Sequence, residues 1–286
     1  MPEVAPPAAD PTLVADVAAV VGNRREAAWI VEHASASGAG PAGAHRLAAR
    51  RAAGEPLQYV LGTWPFRSIE VAVDGRALIP RPETEAVVGV ALAEAIGPGR
   101  HCRIAVDLGT GTGAIALSLA VEAGAASPGL EVWATDRSAE ALALAGENLA
   151  CLAEADPAAA ARVRLVAGSW YEALPAHLAG TVDLIVSNPP YVSESEYPGL
   201  TPEVREWEPR QALVAPRGRS GVAGSADIES VLDGARRWLA PGGTVVVELD
   251  PRQAYAAVDI ARRAGLTGLR TERDLAGRLR MVVAHR

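Results

Sequence analysis

Cysteine is scarce in this 286-residue chain: Cys102 and Cys151 lie far apart, with no spacing that would build a metal site or a disulfide framework. A reduced, cytoplasmic setting is therefore expected, and neither thiol reads as a nucleophile. The five histidines, His33, His45, His101, His177 and His285, are scattered without ligand spacing, so no metal is expected. Excess positive charge is missing too. A formal net charge of −7 speaks against a primary nucleic-acid binder, which would show a basic footprint, although it still permits a local basic patch. No segment runs eighteen apolar residues, and Met1 to Pro7 has neither a basic n-region nor an apolar h-region. The expectation is a protein that is neither exported nor membrane-spanning. Phenylalanine occurs once, at Phe66.

What is present is a chain long enough for one large domain with a small companion, 49% apolar, and able to bury a substantial core. Residues 12–62 are Ala-rich with helical periodicity, interrupted by a Gly/Ser/Ala stretch at 35–43. Arg46, Arg50 and Arg51 include an i,i+4 pair that can meet an acidic partner, a solvated helix face being the plainer account. Residues 64–79 switch to alternation, with Ile69, Val71 and Val73 on one side. Asp74-Gly75 is a hairpin signal there. Pro82 then opens an apolar helix to Ile96, with Glu83 and Glu85 in the first turn as the macrodipole favours. The expected division is a helical domain over 1–63, a β-hairpin linker over 64–81 and a main domain over 82–286.

The main domain alternates strand and helix. Strands are expected at 103–108, 131–136, 162–167, 182–187 and 244–249, with helices between the first three and before the last. Ser138 caps one helix, 192–225 is irregular, and Pro241-Gly242-Gly243 forms a turn. The tail, 270–283, reads as a closing antiparallel hairpin. This rhythm predicts an α/β fold, a doubly wound and mostly parallel sheet of Rossmann-like type. Ligands of such sheets bind beyond the carboxyl ends of the strands, where the strand order reverses. Four separate features fall at those ends: a Gly-rich turn, Asp136, Trp170 and the lip Asn188-Pro189-Pro190-Tyr191.

Gly109-Thr110-Gly111-Thr112-Gly113 lets a ligand approach the backbone between strand and helix. With Asp136 placed to accept ribose hydroxyls, it suits NAD and S-adenosylmethionine almost equally. Trp170 offers an adenine wall or a core side chain. The lip separates the two cofactors. Two prolines stiffen it, and the Asn188 side chain and Pro189 carbonyl give two acceptors for the N–H groups of a planar amide or amino group, with Tyr191 to pack over it. Hydride transfer calls for a proton donor instead. Methyl transfer to nitrogen needs in-line positioning and acceptors that stabilise developing positive charge, which the lip supplies.

At these residues the chain resembles a known family. Asn188 to Tyr191, Asp107 to Gly113, Pro80 to Glu85, Gly54 to Tyr59, Glu203 to Leu213 and Asp274 to Arg278 together are similar to the peptide chain release factor glutamine N(5)-methyltransferases. The resemblance implies methylation of the glutamine in the Gly-Gly-Gln tip of release factors. It implies a cofactor site for S-adenosylmethionine at Gly109, Thr110, Gly111, Thr112, Gly113, Asp136, Trp170 and Asn188. The reaction then falls to Asn188, Pro189 and Tyr191, and substrate binding to these with Pro190 and Phe66, which matches a family aromatic beside the glutamine. The helices of 1–63 become the partner-docking domain. A glutamine methyltransferase acting on a ribosomal protein, an adenine-specific DNA methyltransferase and a non-catalytic cofactor-binding protein stay open as alternatives. Direct nucleic-acid binding is not expected.

Overall fold

The computed structural model describes residues 10–97 and 99–286. Residues 1–9, which carry the reading that no leader peptide is present, lie outside the described residues.

Four helices come first, α1 (Pro11–Val21), α2 (Arg24–Ala36), α3 (Gly40–Ala52) and α4 (Leu57–Leu61). Their starts follow from local chemistry: the Asp10 side chain accepts the Thr12 N–H, and Asn23 accepts those of Arg25 and Glu26. Val17, Ile30, Val31 and Ala48 close a small core of their own. The break between α2 and α3 is shorter than the Gly/Ser/Ala composition suggested. Helix takes in Ser35, whose hydroxyl bonds back to the Val31 carbonyl, and restarts at Gly40, leaving only 37–39 between.

A two-stranded antiparallel hairpin follows, β1 (Thr63–Phe66) and β2 (Ile69–Ala72). Its turn lies at Arg67-Ser68, where Arg67 adopts φ 52°, and not at Asp74-Gly75. Asp74 instead closes a local loop: its carboxylate accepts from the Arg76 backbone and guanidinium. An Asp side chain satisfies its own turn this way without a hairpin around it. Arg67 tolerates its left-handed backbone because its guanidinium is held by Glu122 at 2.7 and 2.6 Å and by the Glu85 carbonyl at 2.9 Å.

The remainder alternates as expected: α5 (Pro82–Ile96), β3 (Ile104–Leu108), α6 (Ala114–Glu122), β4 (Glu131–Asp136), α7 (Ala139–Ala155), α8 (Pro157–Ala160), β5 (Val163–Ala167) and β6 (Val182–Ser187). Two short helices, α9 (Pro202–Trp207) and α10 (Arg210–Leu213), punctuate the irregular segment. Then come α11 (Ala226–Trp238), β7 (Leu239–Glu248), α12 (Ala254–Arg263), β8 (Thr267–Arg273) and β9 (Leu279–His285). The seven strands of the main sheet run in the order β5-β4-β3-β6-β7-β9-β8, every neighbouring pair parallel except those made by β9. Pro241-Gly242-Gly243 does not precede the last parallel strand but bulges within it, between the pairs Val182↔Leu239 and Leu184↔Thr244.

Strand residues feed opposite cores by turns. Ala105, Val132 and Val246 pack with α5, α6 and the hairpin, while Val106, Val245 and Val247 pack with α11 and α12. Phe66 is fully buried in the first of these cores. Among the described residues no helix is long and apolar enough to cross a membrane, and no group of three or more His, Cys, Asp or Glu is placed to hold a metal.

The hairpin would present an open edge were it not for Asn148 of α7, which nothing in the sequence pattern distinguished. Its Oδ1 accepts the Ala72 N–H at 2.6 Å, and its Nδ2 donates to the Ala72 and Thr112 carbonyls at 3.1 and 2.8 Å. One buried amide thus joins the hairpin edge to the Gly-rich turn. Asn148→Ala should lower the unfolding free energy by about 1–3 kcal/mol, because it strands buried backbone groups. Urea denaturation measures this, and an unchanged midpoint would show that the edge does not depend on the amide.

Candidate active site

The strand order reverses between β3 and β6, and their carboxyl ends lie side by side as the pair Leu108↔Ser187. The Ser187 hydroxyl donates to the Leu108 carbonyl at 2.7 Å and locks the two ends together. Beyond them opens a cleft of about 930 Å³, its mouth included. That size suits a nucleoside-sized ligand.

The turn after β3 is held from β4: the N–H groups of Gly109 and Thr110 both donate to the Thr135 carbonyl at 2.9 Å. Gly109 and Gly111 take φ values of 76° and 56°, which side chains rarely adopt. Asp136, at the end of β4, accepts the Gly111 N–H on Oδ2 and the Ser138 N–H on Oδ1, both at 2.9 Å. Each of its oxygens keeps a lone pair, and the side chain lines the cleft. Trp170 sits in a short 3-10 turn after β5 with φ 45°, a backbone that costs about 1 kcal/mol or more outside glycine. Its ring lies over Gly109, where a Cβ would come within 3.3 Å of it. The indole is therefore a wall of the cleft with glycine at its back.

Asn188 and Pro190 line the cleft, as do Gly109, Thr110, Gly111, Thr112, Asp136 and Trp170. Four expected residues do not. Gly113 is the N-cap of α6 and gives its N–H to the Thr110 carbonyl. Pro189 is buried within the lip. Tyr191 turns inward: its carbonyl accepts from Gln253 Nε2 at 3.1 Å, and burial raises its phenol pKa, with the charge of Glu248 adding to the rise. Phe66 is 1% exposed and packs in the core, so the geometry gives it no open face toward the cleft.

Other contributors escaped the sequence reading. Thr84, in the first turn of α5, accepts from Asn188 Nδ2 at 3.1 Å and donates to Glu248 Oε2 at 2.7 Å. Ile79 and Pro80 line one side of the cleft; the Ile79 N–H donates to Glu208 Oε2 at 3.2 Å, and Arg81 pairs with the other oxygen. Glu208 is almost wholly buried, and that burial raises its pKa although Arg81 opposes the shift. Its only signal in the sequence was the resemblance of the segment from Glu203 to Leu213. Glu248 left a plainer mark, an acid ending an apolar strand.

Two carboxyls behind the cleft are buried to the point of holding protons near neutrality. Burial pushes Asp107 up to about 7, against the Thr110 hydroxyl at 2.6 Å and the Ala116 N–H at 3.2 Å, and its Oδ1 has no partner. Burial pushes Glu248 to about 7 as well, against the Thr84 hydroxyl and Arg280.

A parallel sheet of this order, with a glycine turn after its first strand, an acid after its second and an acceptor-bearing lip at the switch point, defines an enzyme of the Rossmann-like methyltransferase class. Residues 91–201 match the family model described as the methyltransferase small domain. A methyltransferase from Pyrococcus furiosus shares the fold at TM-score 0.51 and 19% identity, over 75% of this chain and 87% of that one. The chain belongs to the release factor glutamine methyltransferase family. It is 42% identical to the release factor glutamine methyltransferase of Bordetella pertussis over 88% of this chain and 87% of that protein. It is 41% identical to the one from Salmonella typhimurium, over 82% and 77%.

Asp107 generates a pH prediction. Its folded pKa lies above the ordinary 3.8, so the folded state keeps a proton that the unfolded chain releases. The associated stability is full below about pH 4 and drains away as pH rises to about 7, by at most roughly 4 kcal/mol. Asp107→Asn should flatten this part of the stability profile, measured by urea denaturation at pH 5 and pH 8 without added cofactor. A variant that tracks the parent at both pH values would show that Asp107 is already ionised when buried.

Proposed function

We propose that this protein transfers a methyl group from S-adenosylmethionine to the side-chain amide nitrogen of the glutamine in the Gly-Gly-Gln motif of peptide chain release factors. The observation that carries the reading is the lip. Asn188 gives one of its two Nδ2–H groups to Thr84, which turns the amide nitrogen toward α5 and leaves Oδ1 as an acceptor, on a chain that belongs to a family named for glutamine methylation. Family membership also supports the cofactor, since methyltransferases of this class generally use S-adenosylmethionine.

The residues present fit that cofactor. Gly109 to Thr112 supply a close backbone approach, Asp136 has free lone pairs for ribose hydroxyls, and the Trp170 ring makes a flat wall for adenine. When bound, the cofactor supplies an electrophilic methyl group on a sulfonium. The chain's part is positional. Asn188 Oδ1 and the Pro189 carbonyl accept the two amide N–H groups of the glutamine and turn its nitrogen toward the methyl. As the methyl's bond to sulfur broke and the C–N bond formed, the positive charge would pass from sulfur to nitrogen, those acceptors would stabilise it, and one N–H proton would then pass to water. Pro189 stiffens the backbone whose carbonyl accepts, Tyr191 seats the lip from behind through Gln253, and Phe66 packs in the core.

Partner docking we assign to the helices before Trp64. Of the three arginines in α3, Arg46 is exposed, whereas Arg50 is engaged by Glu55 and Arg51 by Glu26 at 2.6 Å. The arginine contribution to docking therefore falls to Arg46. The reaction belongs in the cytoplasm, with no step on nucleic acid.

Incubation with labelled S-adenosylmethionine and, separately, release factors, a Gly-Gly-Gln peptide, ribosomal proteins and unmethylated DNA tests the reading. Label should enter release factor at the motif glutamine. Asn188→Ala should cut turnover about 10²- to 10³-fold. Label on ribosomal protein or DNA alone would replace the substrate, and an Ala variant with normal turnover would remove the lip from the chemistry. Asp136→Ala should weaken S-adenosylmethionine binding at least about tenfold by calorimetry, through lost charge-assisted hydrogen bonds. Tight NAD binding in its place would move the chain to hydride chemistry.

A further inference from the structure

Behind Asn188 stands a chain of polar groups that has one direction while Glu248 is ionised. Thr84 is 4% exposed, fixed in the first turn of α5 by Pro82 at its start and by its N–H on the Arg81 carbonyl. Its hydroxyl carries a single proton. Glu248, 1% exposed at the end of β7, takes that proton at 2.7 Å. The oxygen of Thr84 is left only as an acceptor, and Asn188 meets it with Nδ2 at 3.1 Å. The two ends of a carboxamide have nearly the same shape, so the amide has no steric reason to prefer one orientation. Hydrogen-bond polarity supplies the reason.

The geometry points to Thr84 and Glu248 as positioning residues that fix the Asn188 carboxamide with its oxygen toward the substrate, and so determine that the lip accepts N–H groups. This rests on the proposed methyl transfer to an amide nitrogen. Without the relay, Asn188 can turn its NH2 into the cleft and present a donor to a substrate that has donors of its own. The groups that face Glu248 are Glu83 from the same helix as Thr84, Tyr191 from the lip and Arg280 from β9. Burial holds the Glu248 pKa near 7. Above that value the carboxylate can only accept, and the direction of the relay is set. A protonated carboxyl can instead donate to Thr84 and reverse it.

The test uses the full chain, S-adenosylmethionine and a Gly-Gly-Gln peptide, with Asn188→Ala as reference. Thr84→Val keeps the shape and deletes the relay; kcat should fall about ten- to a hundredfold while cofactor affinity stays within about twofold. Thr84→Ser restores the hydroxyl and should recover kcat to within about threefold of the parent. The parent's kcat should rise with pH through about 7, and Glu248→Gln should lose that rise. Normal kcat in Thr84→Val, equal losses in the Val and Ser variants, or an unchanged pH step in Glu248→Gln would each overturn the relay. If the Val variant fails to fold, the Ser variant and the Glu248→Gln pH profile decide alone. Failure of the relay is distinguishable from failure of the proposed function. In the first case Asn188→Ala is still inactive on the peptide; in the second the parent itself leaves the peptide unmethylated.

Discussion

The site depends on how β3 and β6 end. Parallel strands leave backbone carbonyls and N–H groups unpaired at their carboxyl ends, and each must be satisfied if the ends are to stay dry and fixed. Here the Ser187 hydroxyl takes the Leu108 carbonyl, and the Thr135 carbonyl takes two N–H groups of the glycine turn. With those bonds made, the turn leaves one strand and the lip leaves the next at a fixed separation. Under the proposed function, a cofactor at the turn and an amide at the lip would be neighbours.

Helix α5 is the second determinant, since its first turn takes a hydrogen bond from Asn188. Its first turn carries Thr84 to the lip, and the segment before it brings Ile79 and Pro80 to the cleft wall. Glu208 anchors that segment from more than a hundred residues away through the Ile79 N–H and Arg81. A carboxylate buried this far costs several kcal/mol unless it is paired and hydrogen-bonded, and Glu208 has both an arginine and a backbone N–H. The cleft wall is thus pinned by a charge that has no better place to go.

The N-terminal helices are tied to the rest by specific contacts, not by a broad shared core. Trp29 meets Trp64 of the hairpin edge-on at 6.0 Å, the Tyr59 hydroxyl donates to the Ala77 carbonyl at 2.9 Å, and Arg51 reaches Glu203 of α9 at 3.5 Å. These ties run to the hairpin, to the loop after it and to the irregular segment; the last two also line the cleft. Two arginines that looked free to meet a partner are therefore part of the scaffold. Their charges are matched within the chain, that of Arg50 by Glu55 and that of Arg51 by Glu26 and Glu203.

The sequence by itself determined the alternation of strands and helices, because apolar runs and Gly/Pro punctuation are local and their periods differ. It determined the chemistry available at the strand ends as well: 182–187 followed by Asn188-Pro189 reads as strand and stiff lip at whatever position the fold puts it. Asp136 and Trp170 were legible for the same reason, one ending a strand and the other following one closely. Tertiary structure alone decided what those residues face. Asp74-Gly75 satisfies a hairpin rule, yet the turn formed at Arg67-Ser68, where Glu122 and the Glu85 carbonyl hold the arginine that must adopt φ 52°. Tyr191 and Phe66 have the side chains of a substrate pocket but pack inward, because the sheet and α5 offered each an apolar site. The partners of Asn148, Thr84, Glu208 and Glu248 carry no local signature. Each acts by a hydrogen bond to a group at least 36 positions away in the chain, Asn148 to Thr112 being the nearest. Polar contacts of a few ångströms between distant segments exist only after the chain has packed, so no period or spacing along the sequence encodes them.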